Sequence, residues 1–160
     1  MRPNWKTRRA LAGWLVLVCI ACGAPSAPTP SGPVAPADAR AAVIRGSRVE
    51  LEVVSGRAEQ ARGLGYRDSL AWGHGMLFVY PEPRVAAFWM KGMRFAIDIV
   101  WIRDGRIRQI HHRVPPPEGS TPDAALPKYQ PSELVDQVLE VPAGFAQANA
   151  WARGDAISLE

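Results

Sequence analysis

Three apolar runs lie close together between Gly73 and Arg103, and the last of them carries a carboxylate. Gly75-Met76-Leu77-Phe78-Val79-Tyr80 and Phe88-Trp89-Met90-Lys91 lead into Ala96-Ile97-Asp98-Ile99-Val100-Trp101-Ile102. An ionised carboxylate in an apolar interior is so costly that Asp98 must be paired, hydrogen-bonded or protonated. The nearest lysine in the chain is Lys91. Asp98 is therefore either a structural keystone or part of a functional site.

The surrounding pattern is that of a β domain. Arg48 to Val54 alternates charged and apolar residues, placing Val49, Leu51 and Val53 on one face of a half-buried strand. Gly56 to Arg62 is rich in helix formers and is stopped by Gly63, which predicts one or two helical turns. Strands are expected at Met76 to Tyr80 and Ala86 to Lys91, with Pro81-Glu82-Pro83 forbidding a continuous ladder between them. Ala96 to Arg103 and Arg106 to His111 flank Asp104-Gly105, a pair that tolerates positive φ and favours a tight hairpin turn. Val114 to Pro131, with prolines at 115, 116, 117, 122, 127 and 131, reads as a long irregular loop. Val135 to Val141 is a further strand, Ala143 to Ala152 a short helix and Ala156 to Leu159 a closing strand. The fold class is all-β with minor helix: a mostly antiparallel β-sandwich or partly open barrel with one or two short helices.

The N-terminus supplies an address. Arg2, Lys6, Arg8 and Arg9 precede an apolar stretch from Ala10 to Ile20, followed by Ala21-Cys22-Gly23. Eleven apolar residues are short against the ~20 of a transmembrane helix, so residues 1–21 are expected to be a cleaved export signal. Cys19-Ile20-Ala21-Cys22 resembles the bacterial lipoprotein cleavage motif, with Cys22 acylated and Cys19 standing where leucine is usual. Gly23 is not the aspartate that commonly signals inner-membrane retention, which favours the periplasmic face of the outer membrane. Residues 22–40 form a tether rich in Pro, Ala and Ser, and residues 41–160 a single domain.

Charge and cysteine content narrow the function. The chain has 19 Lys and Arg against 15 Asp and Glu, and the four basic residues of the signal account for the whole excess. A neutral mature chain offers no general footprint for nucleic acid, and Arg103, Arg106 and Arg108 read as a solvated strand face. No cysteine follows Cys22, so the domain has no disulfide, cysteine metal site or thiol nucleophile. Its stability must come from its core.

The motifs together resemble a known family. Arg62-Gly63-Leu64 with Arg67, Gly75-Met76-Leu77-Phe78-Val79, Phe88-Trp89-Met90-Lys91, Ile97-Asp98-Ile99, Val138-Leu139-Glu140-Val141-Pro142-Ala143-Gly144 and Gly154-Asp155 are similar, in order, to the bacterial and archaeal domain of unknown function 192. The likeness covers nearly all of residues 43 to 160. It implies a small β-sandwich, often exported and sometimes lipid-anchored, and no established activity. Gly65 stands where the family usually has Met, and Gly92-Met93 where it usually has Asn and Thr.

The charged residues inside those motifs are the candidate site. Arg62, Arg67, Trp89, Lys91 and Asp98 are candidate ligand-binding residues, in a cleft near Trp89, Lys91 and Asp98. Asp98 and Glu140 are the candidate acids or bases, with structural pairing preferred for both. Lys91 leans functional, because it can lay its ammonium beside an aromatic platform. Trp89 and Trp101 could stack on a ligand but are preferred as core. His74, Met76, Met90, Met93, His111 and His112 invite a cuprous-ion reading, but the spacing is not diagnostic, and no metal or cofactor is expected. Ser69, Ser120 and Ser132 lack a nucleophile-elbow setting, and no glycine loop cradles phosphate.

Three functions follow from these residues. The first is a lipid-anchored binding or accessory module of the envelope, held to the membrane through Cys22 and engaging a small polar ligand or an envelope protein. The second is an acid-base enzyme acting on a small polar or saccharide substrate through Asp98 or Glu140. The third is a structural interaction protein that docks its partner on the loop from Pro115 to Pro131. The address is testable on its own: Cys22→Ser should abolish labelling by a radiolabelled fatty acid in cells, and persistent labelling would refute the lipoprotein reading.

Overall fold

The computed structural model describes residues 38–160. The expected signal 1–21, Cys22 and almost all of the tether 22–40 lie outside the described residues. Strands β1 (Ala41–Ile44) and β2 (Ser47–Val54) form a hairpin, followed by helix α1 (Arg57–Arg62) and the long strand β3 (His74–Arg84). The hairpin of β4 (Ile97–Arg103) and β5 (Arg106–Val114) comes next, then a 3-10 turn at Asp123–Ala125. Strand β6 (Val135–Pro142), the single-turn helix α2 (Phe145–Ala148) and strand β7 (Ile157–Leu159) complete the chain.

All seven strands belong to one sheet in the order β5-β4-β6-β3-β2-β1-β7. Every neighbouring pair is antiparallel except β2 with β3, whose connection runs through α1. The sheet curls until its edges meet: Arg106 bridges Ala156, and Ile107 N–H donates to the Asp155 carbonyl at 2.9 Å. The Gly154 amide donates to the Ile107 carbonyl at 2.8 Å. Of the two all-β architectures the sequence allows, the chain adopts the partly open barrel.

Curling gives the sheet two cores. The concave side holds Ile44, Val49, Leu77, Val100, Ile102, Leu139 and Val141, and α2 plugs it with Phe145 and Ala146 while Trp151 follows. The convex side holds Met76, Phe78, Ile97, Ile99, Trp101 and Val138, and Leu64, Ala86, Met90 and Met93 cover it. Strands β3, β4 and β6 are thus buried on both faces, which is why they read as unbroken apolar runs despite their antiparallel pairing. Helix α1 has no buried residue of its own. It is pinned by Gln60, whose Nε2 donates to the carbonyls of Val54 and Val79 at 3.2 and 3.0 Å.

Several local expectations change in the structure. Strand β3 runs on through Pro81-Glu82-Pro83 as extended chain, but its register with β6 slips there, from Val79 opposite Gln137 to Arg84 opposite Val135. The prolines occupy the stretch where no ladder donor is needed. The segment expected as a strand from Ala86 to Lys91 is a cover for the convex core and not part of the sheet. Its regular pairing is limited to Phe88 with Tyr129, which exchange N–H···O bonds of 2.9 and 2.8 Å. Strand β5 extends to Val114, the helix after Pro142 shortens to one turn, and β1 is an element the sequence pattern did not disclose. At the β4–β5 turn, Asp104 and Gly105 have φ of 51° and 65°, as the tight-turn expectation requires.

Asp98 resolves its own tension within the backbone. It is fully buried, and because Ile97 and Ile99 belong to the convex core, alternation sends its side chain to the concave side. There Oδ1 accepts the Arg113 amide at 2.7 Å, the Gly144 amide donates to both oxygens at 3.0 Å, and the Ala146 amide donates to Oδ2 at 3.0 Å. Opposite Asp98, β5 carries a bulge in which His112 and Arg113 fall between the pairs Ile97–Val114 and Ile99–His111. Arg113 has φ 51° and Gly144 φ 85°, so the carboxylate satisfies amides turned out of the regular ladder. The positive φ of Gly144 is the reason for glycine there, since the atoms a Cβ would meet belong to the movable end of the exposed Arg113 side chain.

Asp98→Ala would leave these inward-facing amides without an acceptor, at about 1–3 kcal/mol for each buried group. Urea denaturation at neutral pH should show a loss on the order of 3–5 kcal/mol. A loss below about 1 kcal/mol would refute the structural role.

Candidate functional site

The convex core does not close completely. A cleft of about 250 Å³ opens between α1, the segment after it and the cover segment 84–93, with β3 and β6 as its floor. Even-numbered residues of β3 reach this side, bringing Phe78 and Tyr80 to the cleft, and β6 contributes Glu140 between the concave-core residues Leu139 and Val141. Gly75 lets β3 and β6 approach there, since a Cβ would lie 2.8 Å from the Glu140 carbonyl oxygen.

Glu140 is the chemically distinctive group. It is 6% exposed, and its Oε2 has no hydrogen-bond partner among the described residues. Burial pushes the carboxyl up to about 8, against the opposing pull of the Arg67 charge. Its occupied form at neutral pH is therefore mainly the neutral acid, which can both donate and accept a hydrogen bond. Nearby, burial raises the Tyr80 hydroxyl to about 12, partly countered by Arg84, whose Cζ lies 5.3 Å from the Tyr80 ring centroid.

Four of the residues singled out from sequence meet here. Arg62, Trp89, Lys91 and Glu140 all line the cleft. Trp89 is 43% exposed, which corrects the preference for it as core, whereas Trp101 is fully buried. Lys91 Nζ stands 5.5 Å from the Trp89 ring centroid, the aromatic platform anticipated for it. It also pairs with Asp123 at 2.6 Å, and that hydrogen bond and charge raise its pKa.

Asp98 is the correction. The expected cleft near Trp89, Lys91 and Asp98 loses its acid, because Asp98 faces the concave side with its oxygens occupied by amides, while Lys91 lies over the convex side. Closeness along the chain put the two together, and the thickness of the sheet separates them. Arg67 stands beside the cleft, where its guanidinium holds Glu52 at 2.8 Å and lines two neighbouring grooves. That ion pair lowers the Glu52 pKa and raises that of Arg67.

The structure adds residues that sequence reasoning missed. Tyr80 was legible in principle, since it shares parity with Met76 and Phe78 on one strand. Arg84 and Asp123 carried no signal, because they arrive through a register slip and an irregular loop.

The copper-reading residues have other employment. Met76, Met90 and Met93 pack in the convex core. His111 Nδ1 accepts a 2.7 Å hydrogen bond from Trp101 Nε1, and burial followed by the charge of His112 lowers its pKa. No group of three or more His, Cys, Asp or Glu among the described residues is arranged to hold a metal ion.

Comparison with known proteins places this geometry. The chain is similar to a crystal structure from Sinorhizobium meliloti 1021, provisionally described as a transcription regulator, at 31% identity and a TM-score of 0.62. That match covers 70% of this chain and 82% of the other. It is also similar to a protein of unknown function from Novosphingobium aromaticivorans DSM 12444, at 25% identity and a TM-score of 0.65, over 74% and 83% of the two chains. No curated protein matches the sequence. The family model for DUF192, described as an uncharacterized ACR, matches residues 40–159, and the chain belongs to that family.

Proposed function

We propose that this chain is a membrane-anchored binding or accessory module of the cell envelope, whose β domain takes a small polar ligand in the cleft floored by Glu140. The observation that carries this reading is the unpartnered Oε2 of a carboxyl that is 6% exposed. A buried polar atom without a partner costs about 1–3 kcal/mol, and a ligand that supplies the partner recovers that cost on binding. Arg62, Trp89 and Lys91 give the cleft the mixed polar and aromatic lining of a binding site. The anchor reading rests on the basic start, the short apolar stretch and Cys22 after Ala21, with the periplasmic face of the outer membrane as the proposed location.

A second reading, an acid-base enzyme using Glu140, is favoured by one observation: a carboxyl raised to about 8 can exchange a proton near neutral pH. Binding is preferred because, among the described residues, the cleft lining holds no second carboxylate to work with Glu140. Steady turnover of any small polar substrate, lost in Glu140→Gln, would reverse that preference.

Two measurements test the site. Thermal-shift screening of the purified full chain at neutral pH against sugars, organic acids and envelope metabolites should find a compound class that raises the melting temperature by a few degrees near saturation. Glu140→Leu should remove the shift and His112→Ala, at an exposed position, should keep it. Silence across all classes would overturn the binding reading.

The second measurement is stability against pH. The folded pKa of Glu140 lies above its ordinary 4.5, so its contribution to stability is full below about pH 4.5 and is lost as pH rises to about 8. Relative to Glu140→Gln, the wild-type chain should weaken by roughly 3–6 kcal/mol across that window and then level off. Parallel pH profiles for the two proteins would show that the carboxyl is not held neutral.

A further inference from the structure

Resting on the reading of this cleft as a binding site, we propose that its ligand is a small organic oxyanion on a planar apolar body, with its charge held by Arg62 and Arg84 and its far end hydrogen-bonded to Glu140. The charge balance of the cleft argues for the anion. Its ionisable lining includes Arg62, Arg84 and Lys91 against the single acid Glu140. Lys91 is engaged by Asp123, but neither Arg62 nor Arg84 pairs with a carboxylate among the described residues. Arg84 lays its guanidinium against the Tyr80 ring, which leaves the donor edge of the fork for a ligand.

Guanidinium forks match carboxylate and phosphate oxygens in bidentate geometry. A cationic ligand would face the same arginines as like charges, and a neutral sugar would leave them unmatched. Trp89, 43% exposed, and the buried ring of Phe78, both on the cleft lining, favour a flat apolar body in the ligand. At about 250 Å³ the cleft lies below the ~300–1,000 Å³ of ordinary ligand pockets, which restricts the ligand to a small molecule.

The floor sets the other end. Oε2 of Glu140 lacks a partner, and the neutral carboxyl can donate to a carbonyl or hydroxyl oxygen. An ionised Glu140 would repel an anion. The preferred ligand therefore carries its negative charge at the rim and a neutral acceptor at the buried end.

Isothermal titration of the purified full chain at neutral pH can separate the classes. The probes are benzoate, para-acetylbenzoate and phenyl phosphate, with benzamide and para-acetylbenzamide as neutral counterparts and benzylamine as the cation. The oxyanions should bind at least tenfold more tightly than the amides, with para-acetylbenzoate ahead of benzoate through its keto oxygen. The double variant Arg62→Ala/Arg84→Ala, altered only at exposed positions, should lose at least tenfold in oxyanion affinity with its melting temperature nearly unchanged. Amides that match the acids, or a double variant that binds acids as the wild type does, would overturn the inference. If neutral or cationic probes bind and Glu140→Leu or Glu140→Gln weakens them, the anion class falls while the binding reading stands. If neither these probes nor the wider panel bind, both fall.

Discussion

Four hydrogen bonds to one carboxylate hold the concave end of this barrel together. The oxygens of Asp98 on β4 gather the bulge amide of Arg113 on β5 and the amides of Gly144 and Ala146 at the turn from β6 into α2. Without that acceptor, three amides would face an apolar interior, and the turn that brings Phe145 over the barrel mouth would lose its attachment. The arrangement explains how a charged residue can occupy the middle of a buried strand. Its solvation shell is replaced by backbone donors rather than by a lysine or arginine.

Fixing the concave side leaves the convex side free to be imperfect. Leu139 and Val141 on β6 complete the inner core while Glu140, between them, faces outward into the cleft. The two acids are therefore opposite solutions to the same physical problem. Asp98 is surrounded by donors, whereas Glu140 has an oxygen with none and holds its proton instead. The first contributes to stability, and the second keeps an unspent hydrogen-bonding capacity at the base of an open cavity.

How far the chain could be read in advance depended on whether a signal was local. The alternation of Val49, Leu51 and Val53 and the Asp104-Gly105 turn are statements about neighbouring residues, and the structure bears both out. The runs in β3, β4 and β6 announced buried strands, although not that each would be covered on both sides. Which layer covers which face is decided by distant parts of the chain. Parity along β4 separates Asp98 from Ile97 and Ile99, but the position of Lys91 over the face those isoleucines share depends on the path of residues 84–93. The segment from Ala86 to Lys91 has the composition of a strand and finds no sheet edge to join, so composition alone misassigned it. Arg62, Trp89, Lys91 and Glu140 were legible as unusual residues, and their convergence was not.

The division between floor and walls has a consequence for how such a domain can diversify. Residues 75–80 of β3, and most of β4 and β6, are committed on both faces to packing, so substitution there is penalised on either face. Helix α1 buries no residue of its own, and Arg84, Trp89 and Lys91 are exposed. Descendants of this fold could exchange those wall residues one at a time and acquire new specificities without refounding the core. The scaffold separates the residues that carry the packing from those that can vary without disturbing it.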